Sequence, residues 1–242
     1  MADSPYLSAA GEIVWVGARL PAMHPRAVVL AAPATRNARL FFERLPSENW
    51  SPEPLAHRDR DALRLSLHRL RPALFAKEAP RGFGTLLAGR APAFPLGSTA
   101  PRVHALARAY ASGDDRAVYE ASVALLGLGT GLTPSGDDLA GAALFARRLL
   151  APNDRSWEAL GEQLCIEIAA RSHPVSAALF ADLARGESFA PLHHLAAALS
   201  TGDDVRALEA ALRLVELGHS SGWDMLTGFQ IGVDPAGLPP AA

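Results

Sequence analysis

Apolar positions along this chain follow two different periods. Between Glu12 and Arg44 they come as short β-branched and aromatic runs, I-V-W-V at 13–16, A-V-V-L at 27–30 and R-L-F-F-E-R at 39–44, separated by Pro25, Pro33 and Asn37. Such runs predict short strands joined by turns, forming a small sheet or partial barrel. Residues 46–58 carry three prolines and little periodicity, which predicts a loop or an exposed hairpin. From Asp59 to Phe75 the spacing becomes helical, with Leu63, Leu67, Leu70 and Leu74 on one face and arginines mostly on the other. Pro72 predicts a kink or an early stop there. Residues 80–101 are rich in proline and glycine, with one helical turn expected at Thr85–Ala88. An irregular segment of this length either lines a binding site or links two domains, and both readings stay open.

After Pro101 helical spacing takes over almost completely. Val103, Leu106 and Tyr110 mark one helix, Val118, Ala121 and Leu125 the next, and the alanine-rich run 139–150 a third. Trp157, Leu160, Leu164 and Ile168 form a fourth stripe with Cys165 beside it. Pro174 stands where a first helical turn tolerates proline and opens a fifth helix through Leu183. Leu192–Leu199, Val205–Val215 and Asp224–Ile231 complete the series, and the tail from Pro235 is expected to fray. The expected fold class is α+β, a small β-rich N-terminal part packed on a larger, mainly α-helical C-terminal body. Its divisions are 1–58 (β-rich), 59–101 (helix and Pro/Gly-rich connection) and 102–242 (helical domain with a glycine-rich turn).

Composition narrows the function classes. Half the residues are apolar and a fifth charged, as in an ordinary globular protein, and 242 residues suffice for a sizeable core. A formal net charge of −2 gives no basic excess for a phosphate backbone, so nucleic acid is not an expected partner. A single cysteine excludes an internal disulfide and fits a reducing compartment. The N-terminus lacks the basic start and apolar core of a signal peptide, and no apolar run reaches about 18 residues. A soluble, cytoplasmic protein with no membrane partner is the expectation.

Candidate chemistry concentrates in two turns. Ser/Thr-Gly-x-Asp occurs four times, at Ser112, Ser135, Thr201 and Ser221. This is a capping-box arrangement, in which a hydroxyl caps a helix start and the acid bonds back, so the pattern by itself says that a helix begins. At 112 and 201 nothing more is needed. Before Ser135, however, Gly127, Gly129 and Gly131 lead into Thr133-Pro134, more freedom than a cap requires and what a backbone wrapping an anion needs. No lysine follows the glycines as in a Walker loop, and Asp137-Asp138 would repel a phosphate unless an arginine or metal intervened. Those two carboxylates would hold Mg²⁺ or accept hydrogen bonds from a ligand amide. At the second turn His219 stands beside Ser220 and Ser221, with Asp224 one turn later. Sequence neighbours rarely have nucleophile–base geometry, so hydrogen bonding to a ligand is the better reading. His193-His194 is read as a surface or capping pair, because adjacent helical residues diverge by about 100°. Arg171, before Ser172-His173-Pro174, is a natural anion partner at a helix start.

L-G-x-G-x-G-L-T-P-S-G-D-D at 126–138, G-H-S-S-G-x-D at 218–224 and A-R-G-E-S-F-A-P-L-H-H-L at 184–195 together resemble the AllH family. The resemblance spans roughly 85–235 and reaches the N-terminal part only through its β-rich character. It implies a component of an oxamate carbamoyltransferase in anaerobic allantoin and purine breakdown. That assembly has two other subunits and cleaves oxalurate with phosphate to oxamate and carbamoyl phosphate. Two departures from the family pattern stand out: Asp138 is followed directly by Leu139-Ala140-Gly141, and Ser172-His173 stands where two threonines are expected. On this reading both turns converge on one pocket for a small anionic ligand. Amides at Gly129, Gly131 and Gly136 and the Arg171 side chain would bind the anion. Thr133, Ser135, Ser220 and Ser221 would hydrogen-bond the ligand, and Asp137, Asp138, His219 and Asp224 would form the catalytic set. No cofactor is assigned, and Mg²⁺ is the candidate. Partner subunits are expected. The alternatives are a non-catalytic scaffolding subunit and a Mg²⁺-dependent small-molecule phosphotransferase.

Overall fold

A computed structural model describes residues 6–9, 12–17, 20, 22–29, 50–52, 55 and 57–240. Two of the expected β runs are strands, β2 (Glu12–Gly17) and β3 (Ala27–Val29), and a further strand, β1 (Tyr6–Ala9), precedes them. β1 pairs antiparallel with β2, Tyr6 opposite Trp15, and β3 pairs parallel with β2, Trp15 opposite Ala27. The sheet is therefore three-stranded in the order β1-β2-β3. β1 is too short and mixed to show a period. The run at 39–44, with Pro33 and Asn37, lies outside the described residues. So little sheet makes the fold a predominantly helical body with a small β attachment.

The helices follow the apolar periodicity closely. They are α1 (Arg60–Phe75), α2 (Gly84–Leu87), α3 (Ala100–Ser112), α4 (Asp115–Val123), α5 (Ser135–Leu150), α6 (Arg155–Arg171), α7 (Pro174–Arg185), α8 (Ala190–Thr201), α9 (Asp204–Val215) and α10 (Ser221–Val233). Asp59 caps α1 through the Asp61 and Ala62 amides, and α1 continues through Pro72 to Phe75 rather than stopping early. The tail is not frayed up to Pro240. Pro235–Gly237 forms a 3₁₀ turn, Leu238 is buried, and the Arg71 guanidinium donates to the Gly237 carbonyl at 2.6 Å.

Two helices form the axis of the body. α5 is buried on every face from Ser135 to Ala146, and α10 from Gly222 to Val233, the burial expected of a helix at the centre of a fold rather than on its surface. Small residues let the two backbones approach. A Cβ on Gly228 would stand 2.0 Å from the Leu139 carbonyl oxygen and 3.1 Å from the Ala142 Cβ; one on Gly232 would stand 2.5 Å from both the Ala143 oxygen and the Ala146 Cβ. Contacts advance in the same direction along both helices, so α5 and α10 are parallel and their N-termini lie together. Around them α7 and α6 cover α5, while α9, α2, α3 and α1 cover α10, with α8 packed on α9 and α1. One continuous apolar core joins Leu63 and Leu67 of α1, Phe83 and Leu86 of the 80–101 segment, and the leucines of α3 to α10.

The sheet docks on α7 and the start of α8. Arg26 binds the buried Asp182 carboxylate through Nε and through Nη2, the latter at 2.8 Å. Phe189 packs edge-on to Trp15 and against His24, and the Ala190 amide donates to the Met23 carbonyl at 2.7 Å.

The axis accounts for a sharp difference between glycines. Gly228→Ala is expected to cost about 3 kcal/mol or more, because its methyl meets a backbone carbonyl that cannot swing aside. Gly161→Ala, whose Cβ would meet only the Ala184 Cβ at 3.3 Å, should change stability by no more than about 1 kcal/mol. Urea denaturation of the two variants makes the comparison, and equal losses would refute the account of the α5–α10 contact.

Candidate functional site

The same four letters do two different physical jobs in this chain. At 112 and 201 the serine or threonine ends a helix, Gly113 (φ 69°) and Gly202 (φ 69°) turn it in the left-handed region, and Asp114 and Asp203 cap the next helix. The cap at these junctions is thus the aspartate, not the hydroxyl. At 135 and 221 the serine lies inside the first helical turn and makes no capping bond, since Pro134 and Ser220 occupy the cap positions. The following glycines are helical and chosen for lack of space. A Cβ on Gly136 would stand 1.9 Å from the Leu125 carbonyl oxygen, and one on Gly222 would stand 1.8 Å from that of Leu214. Each helix start is thereby wedged under the end of the preceding chain segment, which leaves its serine hydroxyl free.

Those hydroxyls meet across the helix pair. Thr133 Oγ1 lies 3.1 Å from Ser221 Oγ, and Ser135 Oγ lies 3.4 Å from Ser220 Oγ. All four line a cleft of about 500 Å³. One wall is the glycine-rich turn from Gly129 to Thr133, another is Gly218–Ser221, and the remainder comes from Gly82 and Ala93–Leu96. Gly129 (φ 119°) and Gly131 (φ 107°) hold backbone angles that only glycine adopts freely, and the Gly129 Cβ position is blocked by the Ser135 amide at 2.7 Å. Among the described residues no backbone carbonyl takes the amides of Gly129, Thr130, Gly131, Leu132 or Thr133. An anion in the cleft thus meets unspent amides, four hydroxyls and the positive ends of two parallel helices.

Behind the hydroxyls lie two buried carboxylates. Asp224 is 0 % exposed; its Oδ1 accepts from the Phe83 amide at 2.7 Å and its Oδ2 has no partner. Asp138 is 7 % exposed and its Oδ2 likewise has none. Burial pushes the Asp224 carboxyl up to about 7, against the Phe83 amide and the Ser135 and Ser220 hydroxyls, which pull it down. Burial and then the neighbouring Asp224 charge hold Asp138 well above the usual carboxylate range, against the Ser221 and Thr133 hydroxyls. The influence is reciprocal: the hydroxyl of Ser221, at the start of α10, pulls the α5 carboxyl down, and that of Ser135, at the start of α5, pulls the α10 carboxyl down, though neither bonds the carboxylate Oδ2.

The expected residues divide clearly. Gly129, Gly131, Thr133, Ser135, His219, Ser220 and Ser221 line the cleft, and Asp138 and Asp224 stand behind it. Gly136 does not present its amide to the cleft, because that group donates to the Leu128 carbonyl at 2.8 Å. Asp137 faces away: its Oδ1 accepts from the Gly127 amide at 2.7 Å, while its Oδ2 accepts from Ser172 and, at 2.7 Å, from Ser176. It tethers the glycine-rich turn to the α6–α7 junction. Asp137 and Asp138 therefore do not converge as a Mg²⁺ pair, and among the described residues no cluster of three or more His, Cys, Asp or Glu could hold a metal ion. Arg171 also lies outside, paired with Glu167 one helical turn earlier at 2.8 Å, and among the described residues the lining contains no lysine or arginine. His193 is buried rather than at the surface. Its Nε2 accepts from the Ser188 amide at 3.0 Å and its ring packs edge-on to Phe145, while His194 is exposed.

The contribution of the 80–101 segment was open from sequence, and the structure makes it a wall of the cleft and a cover for α10. Gly82 and Gly84 leave no room for a side chain against Asp224 and Trp223. The signal was the close pair in R-G-F-G at 81–84.

Compared with known proteins, residues 125–233 match the model of the family described as oxamate carbamoyltransferase subunit AllH. The resemblance carried by the two turns is thus shown for the segment holding both of them and both central helices. The match starts at 125 and does not take in the 85–124 stretch. No curated protein and no solved structure matches the chain.

The raised Asp224 carboxyl links stability to pH. An unfolded aspartate titrates near about 3.9, so between there and about 7 the native state holds a proton that the unfolded chain has lost. Native stability then falls as pH rises through that window, by an amount on the order of a few kcal/mol. Asp224→Asn should remove this part of the slope, so that the variant gains on the wild type between pH 5 and pH 8 in urea denaturation. Parallel profiles would show that Asp224 titrates as an ordinary carboxylate.

Proposed function

With residues 125–233 an AllH-type segment, we propose that the cleft is where this chain binds the small anionic ligand of a carbamoyl-transfer reaction in allantoin and purine breakdown. The observation that carries this reading is the convergence of unspent amides and four hydroxyls at the paired N-termini of α5 and α10, in a cleft of about 500 Å³. Oxalurate, oxamate and carbamoyl phosphate all combine an anionic head with a carbamoyl or ureido group. The head needs hydrogen-bond donors, which the glycine-rich turn supplies. The nitrogen end needs acceptors, which the hydroxyl oxygens and the carboxylates behind them supply.

Catalysis on this reading comes from positioning and from stabilising developing negative charge, not from a covalent intermediate. His219 lines the cleft but makes no hydrogen bond to either neighbouring serine among the described residues, so no nucleophile–base pair is assembled. A lining without lysine or arginine among the described residues suits a site that a partner subunit completes with its own cation. The glycine-rich lips of the cleft are exposed where such a partner would approach, with Leu132 52 % and Phe94 97 % exposed.

Thermal-shift titration with oxamate, oxalurate and carbamoyl phosphate tests the reading. Ser135→Ala and Ser221→Ala should each weaken the stabilising ligand roughly tenfold, the loss of one hydrogen bond worth about 1.4 kcal/mol. Arg171→Ala should leave the affinity unchanged. Undiminished binding in the Ser135→Ala/Ser221→Ala double variant would place the ligand elsewhere.

A further inference from the structure

Two buried carboxylates behind an anion site pose an electrostatic problem, and their geometry contains its solution. Each hydroxyl pair, Thr133 with Ser221 and Ser135 with Ser220, spends one hydrogen on its internal contact and keeps one. The spare hydrogen can point inward to a carboxylate or outward to the cleft. When the carboxylates behind are ionised, they draw it inward, and the hydroxyl layer offers only lone pairs to a ligand. When a carboxyl holds a proton it donates outward itself, and the spare hydrogen turns to the cleft.

Resting on the assignment of the cleft as an anion site, we propose that Asp138 and Asp224 are positioning residues that share one proton and set the polarity of the hydroxyl layer, so that an anionic ligand binds with uptake of a proton from solvent. Both side chains are more than nine-tenths buried, and each has an Oδ2 with no partner. Two like charges so placed cannot both persist in a buried site. The other charged or titratable groups among the described residues do not supply a cation in their stead. Asp137 on α5 adds a further negative charge but is turned to Gly127, Ser172 and Ser176. From β1 the Tyr6 hydroxyl is pushed up to about 12 by burial and by Asp138, so it stays neutral. His219 lies at the exposed rim, and Arg81, beside Gly82, donates to the Val215 carbonyl at 3.0 Å. Among the described residues the proton itself is the one positive charge available to the pair.

Oxamate is the suitable probe, because its single charge is fixed at neutral and alkaline pH. Calorimetric titration of the full chain in two buffers of different ionisation enthalpy counts protons directly. On the alkaline side of the pair's titration, where the free pair has lost its proton, uptake of one proton is expected, with affinity falling about tenfold per pH unit. The Asp138→Asn/Asp224→Asn double variant, neutral and close in shape, should bind without proton uptake and with a flat pH profile. A purely structural role for the two aspartates would leave the proton count at one. Binding without proton uptake in the wild type overturns the inference while leaving the cleft as the ligand site. Failure of oxamate, phosphate and sulfate to bind at any pH removes the site and the linkage together. The free protein gives a separate readout, since a protonated-carboxyl C=O stretch should appear in infrared spectra at pH 7 and vanish in the double asparagine variant. Its absence from the wild type overturns the shared proton whatever the ligand.

Discussion

The structure depends on two parallel helices held at backbone contact. Gly228 and Gly232 let α10 lie directly on the carbonyls of Leu139 and Ala143, so neither helix can slide or rotate without a clash. Parallel alignment at this distance brings two positive helix ends together, an arrangement that disfavours itself unless negative charge is placed there. Asp138 and Asp224 in the first turns answer that need, and burial then raises the cost of their ionisation. The cleft is what remains in front of the helix ends once the adjoining turns are pinned.

That pinning is distributed. Asp137 ties the glycine-rich turn to Ser172 and Ser176 at the α6–α7 junction, and the Phe83 amide ties the 80–101 segment to Asp224. Leu125 and Leu214 carbonyls abut the two helical glycines and fix where each helix begins. An anion site made of amides and hydroxyls works only if those groups are held before the ligand arrives, because each weak donor contributes little once its ordering must be supplied by binding.

Much of this was legible in the letters, and what was not has identifiable causes. Helical periodicity located α1 and every helix from α3 to α10, since each buries apolar residues against a common core. The glycine-rich turn and the His219–Asp224 turn were recognised as belonging together, and the structure places their hydroxyls in contact. Sequence could not distinguish Asp137 from Asp138, because adjacent helical residues point to different neighbours and only the packing decides which one faces α10. Arg171 was misplaced for a similar reason: Glu167 one turn before it offers a local partner that the expected anion would have had to displace. The four Ser/Thr-Gly-x-Asp repeats looked alike because a left-handed glycine and a glycine without room for a methyl are written with the same letter. Strand β1 and the parallel pairing of β3 carry no periodic signal at lengths of 4 and 3 residues.

The reciprocal pairing across α5 and α10 gives the floor of the cleft an approximate two-fold character. Each helix presents a serine in its first turn and an aspartate three residues on, and each serine hydroxyl pulls the other helix's acid down. Such a floor reads a ligand and the same ligand turned through half a rotation almost identically. Orientation must then be imposed by the walls, which have no such symmetry: a turn with Gly129 and Gly131 on the α5 side, a short His-Ser-Ser turn on the α10 side, and the Gly82 and Ala93–Leu96 segment completing them. Affinity and sense of direction are thus carried by different parts of the chain, so the walls can change which end of a ligand faces inward while the floor that grips it stays the same.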